Sequence, residues 1–286
     1  MNATGATLTV VRMNGAGNAF GVIDARGSAA LDDAAYRALA RRLCRPDSEI
    51  GGADGLLLVG DEPGFAASMR VINADGSEAE MCGNGIRCVA RYLVENDGLD
   101  ERFTIATLAG PIVCDVVAHE ADPPAGKGFL VRAAVATPRL PHGAGGAIYQ
   151  TSDGVAWNGV EVDVGNPHLV IFVDDVDAVD LERVGAELSR HPAFPHGVNV
   201  HAAQRLSEHA LEVHHFERGV GRTEACGTGA VASAAAAVAR GLTRWPVDVE
   251  VPGGHLGVAL SPHGAALLTG PAQREREVTV SVDRAV

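Results

Sequence analysis

Two short segments of this chain set a cysteine before Gly-x-Gly: Glu80-Met81-Cys82-Gly83-Asn84-Gly85 and Glu224-Ala225-Cys226-Gly227-Thr228-Gly229. In both, a glutamate stands two residues before the cysteine and a helix-like stretch follows the glycines. The first N–H groups of a helix lack intrahelical partners and carry the positive end of its dipole. They therefore favour a thiolate over a thiol and offer a docking point to a carboxylate. Glycine beside the sulfur lets another group approach the backbone closely. Two such thiols, meeting one α-carbon from opposite sides, would invert it: one removes the proton as thiolate, the other delivers a proton as thiol. An amino-acid α-proton is far less acidic than a thiol, so converging donors must hold the developing charge, each worth about 2.7–4 kcal/mol. The cysteines lie about half of the 286-residue chain apart, which reads as a duplicated unit.

The surrounding elements repeat as well. Leu8 to Met13, Phe20 to Asp24, Leu56 to Val59 and Ser68 to Asn73 read as strands, with a helix over Asp32 to Cys44 and another over Ile86 to Val94. In the second half, Glu161 to Val164, Leu169 to Val173 and Leu211 to Phe216 read as strands, and Asp180 to Arg190 and Ala230 to Arg240 as helices. Val247 to Val251 and Gly257 to Leu260 form an expected hairpin. Asn73 and Glu217 each stand nine residues before their cysteine, and Gly17-Asn18 corresponds to Gly165-Asn166. The run Ser233-Ala234-Ala235-Ala236-Ala237 has no polar face, as in a helix surrounded by sheet. The fold class is thus α+β: two pseudo-symmetric lobes, each a strongly curved, mostly antiparallel, barrel-like sheet wrapped around a central helix. The expected boundary falls between Glu120 and Gly128. Residues 1–127, with 272–286 returning to them, form one lobe and residues 128–271 the other.

Composition excludes several functions. The net charge of −13 argues against nucleic acid or an anionic membrane surface as partner. No secretory signal is visible at the N-terminus, and the longest apolar helical run is far short of a bilayer span. Five cysteines, an odd number, fit a reducing cytoplasmic compartment better than a disulfide framework. Cys44, Cys88 and Cys114 read as small buried hydrophobes. Lys127 is the only lysine and sits in an expected turn, a poor place for a pyridoxal phosphate Schiff base. No C-x2-C or H-x3-H pair suggests a metal, and the eleven histidines, mostly in polar contexts, are expected at the surface.

Met13-Asn14-Gly15-Ala16-Gly17-Asn18, Asn73 to Glu78, Cys82 to Cys88, Gly165-Asn166-Pro167-His168, Glu217-Arg218-Gly219, Ala225 to Gly229 and Val251-Pro252-Gly253-Gly254 together resemble the diaminopimelate epimerase family. The resemblance runs in family order over nearly the whole chain. It implies interconversion of LL- and meso-2,6-diaminopimelate without cofactor or metal, in lysine and peptidoglycan precursor synthesis. It also implies a site between two lobes and a homodimer. Carried over position by position, Cys82 and Cys226 would be the acid/base pair. Gly83, Asn84, Gly227 and Thr228 would offer N–H groups to the reacting carboxylate. Asn18, Asn73, Asn166, Asn199, Glu217 and Arg218 would hold the rest of the substrate, and His168 and Glu217 would tune the thiols. The chain departs from the family at Asn14, where His is usual, at Ala19, where Asp is usual, and at Gly55, where some members carry Gln. No role is carried over there. Competing readings are a cofactor-independent racemase of another amino acid, such as histidine or a proline derivative, and a non-catalytic small-molecule binder on the same fold.

Overall fold

The computed structural model describes residues 6–27, 31–118 and 129–282. The chain divides into two compact units, residues 1–133 with 270–286, and residues 134–269. Lys127 and the stretch expected to hold the boundary lie outside the described residues. The strand Leu130–Ala134 pairs antiparallel with Gly110–Ala118, so the first unit extends past residue 127.

In the first unit, Asn18–Asp24 and Gly55–Gly60 run parallel, joined through helix α1 (Asp33–Leu43). Ala67–Asn73 and Arg102–Thr107 also run parallel, joined through α2 (Gly83–Asp97). These parallel pairs depart from the mostly antiparallel sheet that the strand spacing predicts. Each arises because a helix carries the chain across the sheet before the next strand begins. The other pairings are antiparallel; the longest sets Ala6–Gly15 against Gln273–Val282. Side-chain alternation divides the sheet cleanly. Val11, Met13, Phe20, Val22, Leu57 and Met69 pack against Ile86, Val89 and Leu93 of α2. Val10, Ile23, Leu56, Leu58 and Ile72 pack against Tyr36, Leu39 and Leu43 of α1. Both faces are therefore covered.

The second unit repeats the plan. Pro167–Phe172 and Asn199–Arg205 run parallel through α3 (Leu181–Ser189), and Ala210–Glu217 and Val247–Val251 run parallel through α4 (Gly227–Ala239). Leu169, Ile171, Val200, Ala202 and Phe216 meet Leu181, Val184 and Leu188 of α3. α4, buried from Gly227 to Ala237 with Thr228 the exception, has no polar face, as its composition predicts.

Local signals explain the helix ends. Asp32 caps α1 by accepting from the Ala35 N–H at 2.8 Å, and Gly98 closes α2 in the left-handed region. α2 and α4 begin at Gly83 and Gly227, three residues before the apolar pattern predicts, because glycine carries no hydrophobic signal into the periodicity. Among the described residues no helix is long and apolar enough to cross a membrane.

Candidate active site

Cys82 is the N-cap of α2, with extended backbone, and its Sγ accepts from the Gly85 N–H at 3.3 Å. The glycine at position 15 is needed here: a Cβ there would stand 2.8 Å from the Asn84 carbonyl oxygen. One turn along, Arg87 is wholly buried. Its guanidinium donates to the Gly83 carbonyl at 2.9 Å, the Pro271 carbonyl at 3.3 Å and Asn84 Oδ1 at 2.7 Å. Burial pulls its pKa down to about 10, still high enough to keep the cation beneath the start of α2.

From Arg87 a one-way chain of donors runs outward. Asn84 receives at Oδ1 and donates from Nδ2 to Asn18 Oδ1, and Asn18 donates from Nδ2 to Asp54 Oδ2 at 3.3 Å. The Ala19 N–H donates to the same carboxylate oxygen at 2.9 Å. A buried cation at one end and an exposed carboxylate at the other set both amide orientations. Neither Asp54 nor Arg87 stands out in the sequence as a site residue. The one available hint was Ala19, which lacks the carboxylate usual at its position; Asp54 brings one to the same backbone. Asn73 stands apart from this chain and closes its own turn, donating to Ser77 Oγ at 2.9 Å.

Cys226 is the N-cap of α4 with a matching extended backbone, and its carbonyl accepts the first helical bond from Ala230 at 2.8 Å. Its Sγ lies 3.6 Å from the Thr228 hydroxyl. The helix start was expected to favour thiolate. Instead burial pushes this thiol well up, and the Glu217 carboxylate pushes the same way. The Thr228 hydroxyl and Gly229 N–H oppose this and lose, because desolvation of a buried anion outweighs one helix terminus. Glu217 is itself held by the Thr223 hydroxyl at 2.7 Å. Burial also pushes Cys44, Cys88 and Cys114 up to about 12, and none of these three caps the start of a helix.

The remaining candidates of this unit cluster at the ends of adjacent strands. Asn199 donates to the Pro167 carbonyl at 3.1 Å and accepts from the Arg218 N–H at 3.0 Å, tying two neighbouring turns together. Arg218 reaches back to the His196 carbonyl at 2.7 Å. His168 Nε2 meets Asn166 Oδ1 at 2.8 Å, and its Nδ1 meets His201 Nε2 at 2.8 Å. The expectation of surface histidines is wrong for four of them: His168, His201, His214 and His215 are buried. Burial, with the Arg218 charge adding to it against Asp163, lowers His168 to about 3, so it is an uncharged ring.

The family model described as diaminopimelate epimerase matches residues 10–126 and 160–275. Diaminopimelate epimerase of Desulfitobacterium hafniense is 38% identical over 275 residues, covering 93% of this chain and 95% of that protein. The enzyme of the same name from Pelotomaculum thermopropionicum is 37% identical, covering 92% and 95% respectively. Among solved structures, a PhzF-family phenazine biosynthesis protein of Bacillus anthracis superposes with a TM-score of 0.73 at 17% identity, covering 96% of this chain and 99% of that one. A hydroxyproline epimerase from Agrobacterium vitis gives 0.72 at 15% identity, covering 99% and 95%. These two share the fold with this chain.

Proposed function

Because the chain belongs to the diaminopimelate epimerase family, we infer that it interconverts LL- and meso-2,6-diaminopimelate without a cofactor, with Cys82 and Cys226 as the acid/base pair. The observation that carries the chemical assignment is shared by both cysteines and by no other in the chain. Each is the N-cap of a buried helix whose next three residues are Gly-x-Gly. Gly83, Asn84, Gly227 and Thr228 then supply N–H groups in the first turns, where the developing carboxylate charge needs donors. Burial and Glu217 keep the proton on Cys226, which suits it to deliver a proton while Cys82 removes one. In the reverse direction Cys226 enters as the thiolate that the forward transfer leaves and takes the α-proton, while Cys82, then a thiol, returns one.

Asn18, Asn73, Asn166, Asn199 and Arg218 are the candidates for holding the rest of the substrate. The same reading makes the protein a cytoplasmic homodimer serving lysine and peptidoglycan precursor synthesis. None of the five cysteines is joined in a disulfide, which suits a reducing compartment.

The test is hydrogen exchange. Incubating reduced protein with LL-diaminopimelate in deuterated water is expected to place deuterium at the inverted carbon, and Cys82→Ala or Cys226→Ala to abolish inversion while Cys44→Ala retains it. Absence of exchange in the reduced wild-type protein would overturn the assignment.

A further inference from the structure

The second unit carries a ladder of buried imidazoles across three neighbouring strands. His168 lies on Pro167–Phe172, His201 on Asn199–Arg205 and His215 on Ala210–Glu217; each is at most 1% exposed. His201 and His215 are directly paired in the antiparallel register. His201 Nε2 meets His168 Nδ1 at 2.8 Å, His201 Nδ1 meets His215 Nδ1 at 2.9 Å, and His168 Nε2 meets Asn166 Oδ1 at 2.8 Å. A Cβ added at Gly229 would fall 2.5 Å from His201 Cε1. The ladder is therefore wedged beneath the first turn of the helix that Cys226 caps.

Burial holds all three rings neutral. A neutral imidazole has one N–H and one lone pair, so three rings in series have only two self-consistent arrangements. In one, every N–H points toward Asn166. In the other, every N–H points away from it and the inner end of the ladder is an N–H. At that inner end His215 Nε2 is buried and pairs with no atom among the described residues. A buried orphan N–H is the rarer and costlier of the two end states. The protons accordingly run outward: His215 Nδ1–H to His201, His201 Nε2–H to His168, His168 Nε2–H to Asn166. The Asn166 amide receives at Oδ1, and both hydrogens of its NH2 remain for an acceptor outside the ladder.

We propose that His201 and His215 are positioning residues: with His168 they fix the Asn166 amide with its NH2 presented, so that this point of the site takes a carboxylate and refuses an ammonium. The identity of that carboxylate as part of diaminopimelate rests on the function inferred above; the orientation of the amide does not.

The test has two readouts. In 15N-histidine-labelled wild-type protein at neutral pH, NMR is expected to show His168 and His201 as Nε2–H tautomers and His215 as Nδ1–H. The reversed set, or a charged ring among the three, overturns the proposal. In kinetics, His215→Leu removes the first donor and is expected to raise KM for diaminopimelate about tenfold, the scale of one hydrogen bond to a charged group, with kcat within about twofold. His215→Asn, which keeps an N–H donor near the position of Nδ1, is expected to restore KM and the His168 tautomer. An unchanged KM and tautomer in His215→Leu, or a joint loss of kcat and KM that His215→Asn does not rescue, overturns it. Should His215→Leu not fold, the wild-type tautomers and His215→Asn decide the matter. If the wild-type protein does not turn over diaminopimelate, the function fails alone, since the tautomers are read without substrate.

Discussion

Mild acid should destabilise the second unit, and the histidine ladder sets where and by how much. An imidazole in an unfolded chain titrates near 6.5, whereas burial lowers His168 and His215 to about 3 and His201 well below its ordinary value. From pH 6.5 down to about 3 the unfolded chain therefore binds protons that the folded chain does not. Stability rises with pH wherever the unfolded state holds more protons, so here it falls as pH falls. Each neutral buried ring costs roughly 1 kcal/mol by pH 5.5, and three together on the order of 4 kcal/mol, a large share of a usual 5–15 kcal/mol. Carboxylates held low by arginine, such as Asp24 and Glu78, lose their contribution only below their own unfolded values, in a separate and lower window. Both tryptophans, Trp157 and Trp245, belong to the second unit, so urea unfolding followed by tryptophan fluorescence reports on it. Between pH 7.5 and 5.5 the wild-type protein should lose on the order of 4 kcal/mol, and His215→Asn roughly a third less. A stability that stays flat over this range, or an equal loss in both proteins, would refute the claim that the rings are neutral in the folded state.

Two substitutions probe the helix starts more directly. Gly229→Ala should destabilise by up to about 2 kcal/mol in the same unfolding assay: the gain in helix propensity is about 1 kcal/mol, but the new Cβ meets a His201 ring held by hydrogen bonds on both nitrogens. Gly85→Ala should be milder, since its Cβ meets a Leu57 methyl at 2.8 Å, and a more stable Gly229→Ala protein would contradict the packing argument. Asp54→Ala leaves the Asn18 amide without its outer acceptor. Steady-state kinetics should show KM rising about three- to tenfold with kcat nearly unchanged; a fall in kcat instead would place Asp54 nearer the chemistry than its contacts suggest.

Much of this was legible beforehand in local pattern. Cys-Gly-x-Gly, twice, marks two helix starts with a thiol at each. Apolar spacing identifies α1, α2, α3 and α4, and Asp32 and Gly98 mark ends that residue type alone predicts. The strand Gln273–Val282 was harder. Residues 272–286 are expected to return to the first lobe, but the charged run Gln273-Arg274-Glu275-Arg276-Glu277 has no apolar alternation to mark a strand, and it becomes one by pairing with Ala6–Gly15 at the far end of the chain.

What residue type and spacing determined, then, was the chemistry on offer: two thiols, two helix termini and a set of asparagines. Tertiary structure decided the protonation and orientation of those groups. In Asn199-Val200-His201-Ala202, alternation marks His201 as the polar and hence solvent-facing position of a half-buried strand. That inference fails because α3 covers one face of the sheet and α4 the other, which leaves no wet face for the histidine. The same enclosure drives Cys226 toward thiol against the pull of its helix, since the cost of burying charge depends on everything packed around the sulfur and on no single neighbour in sequence.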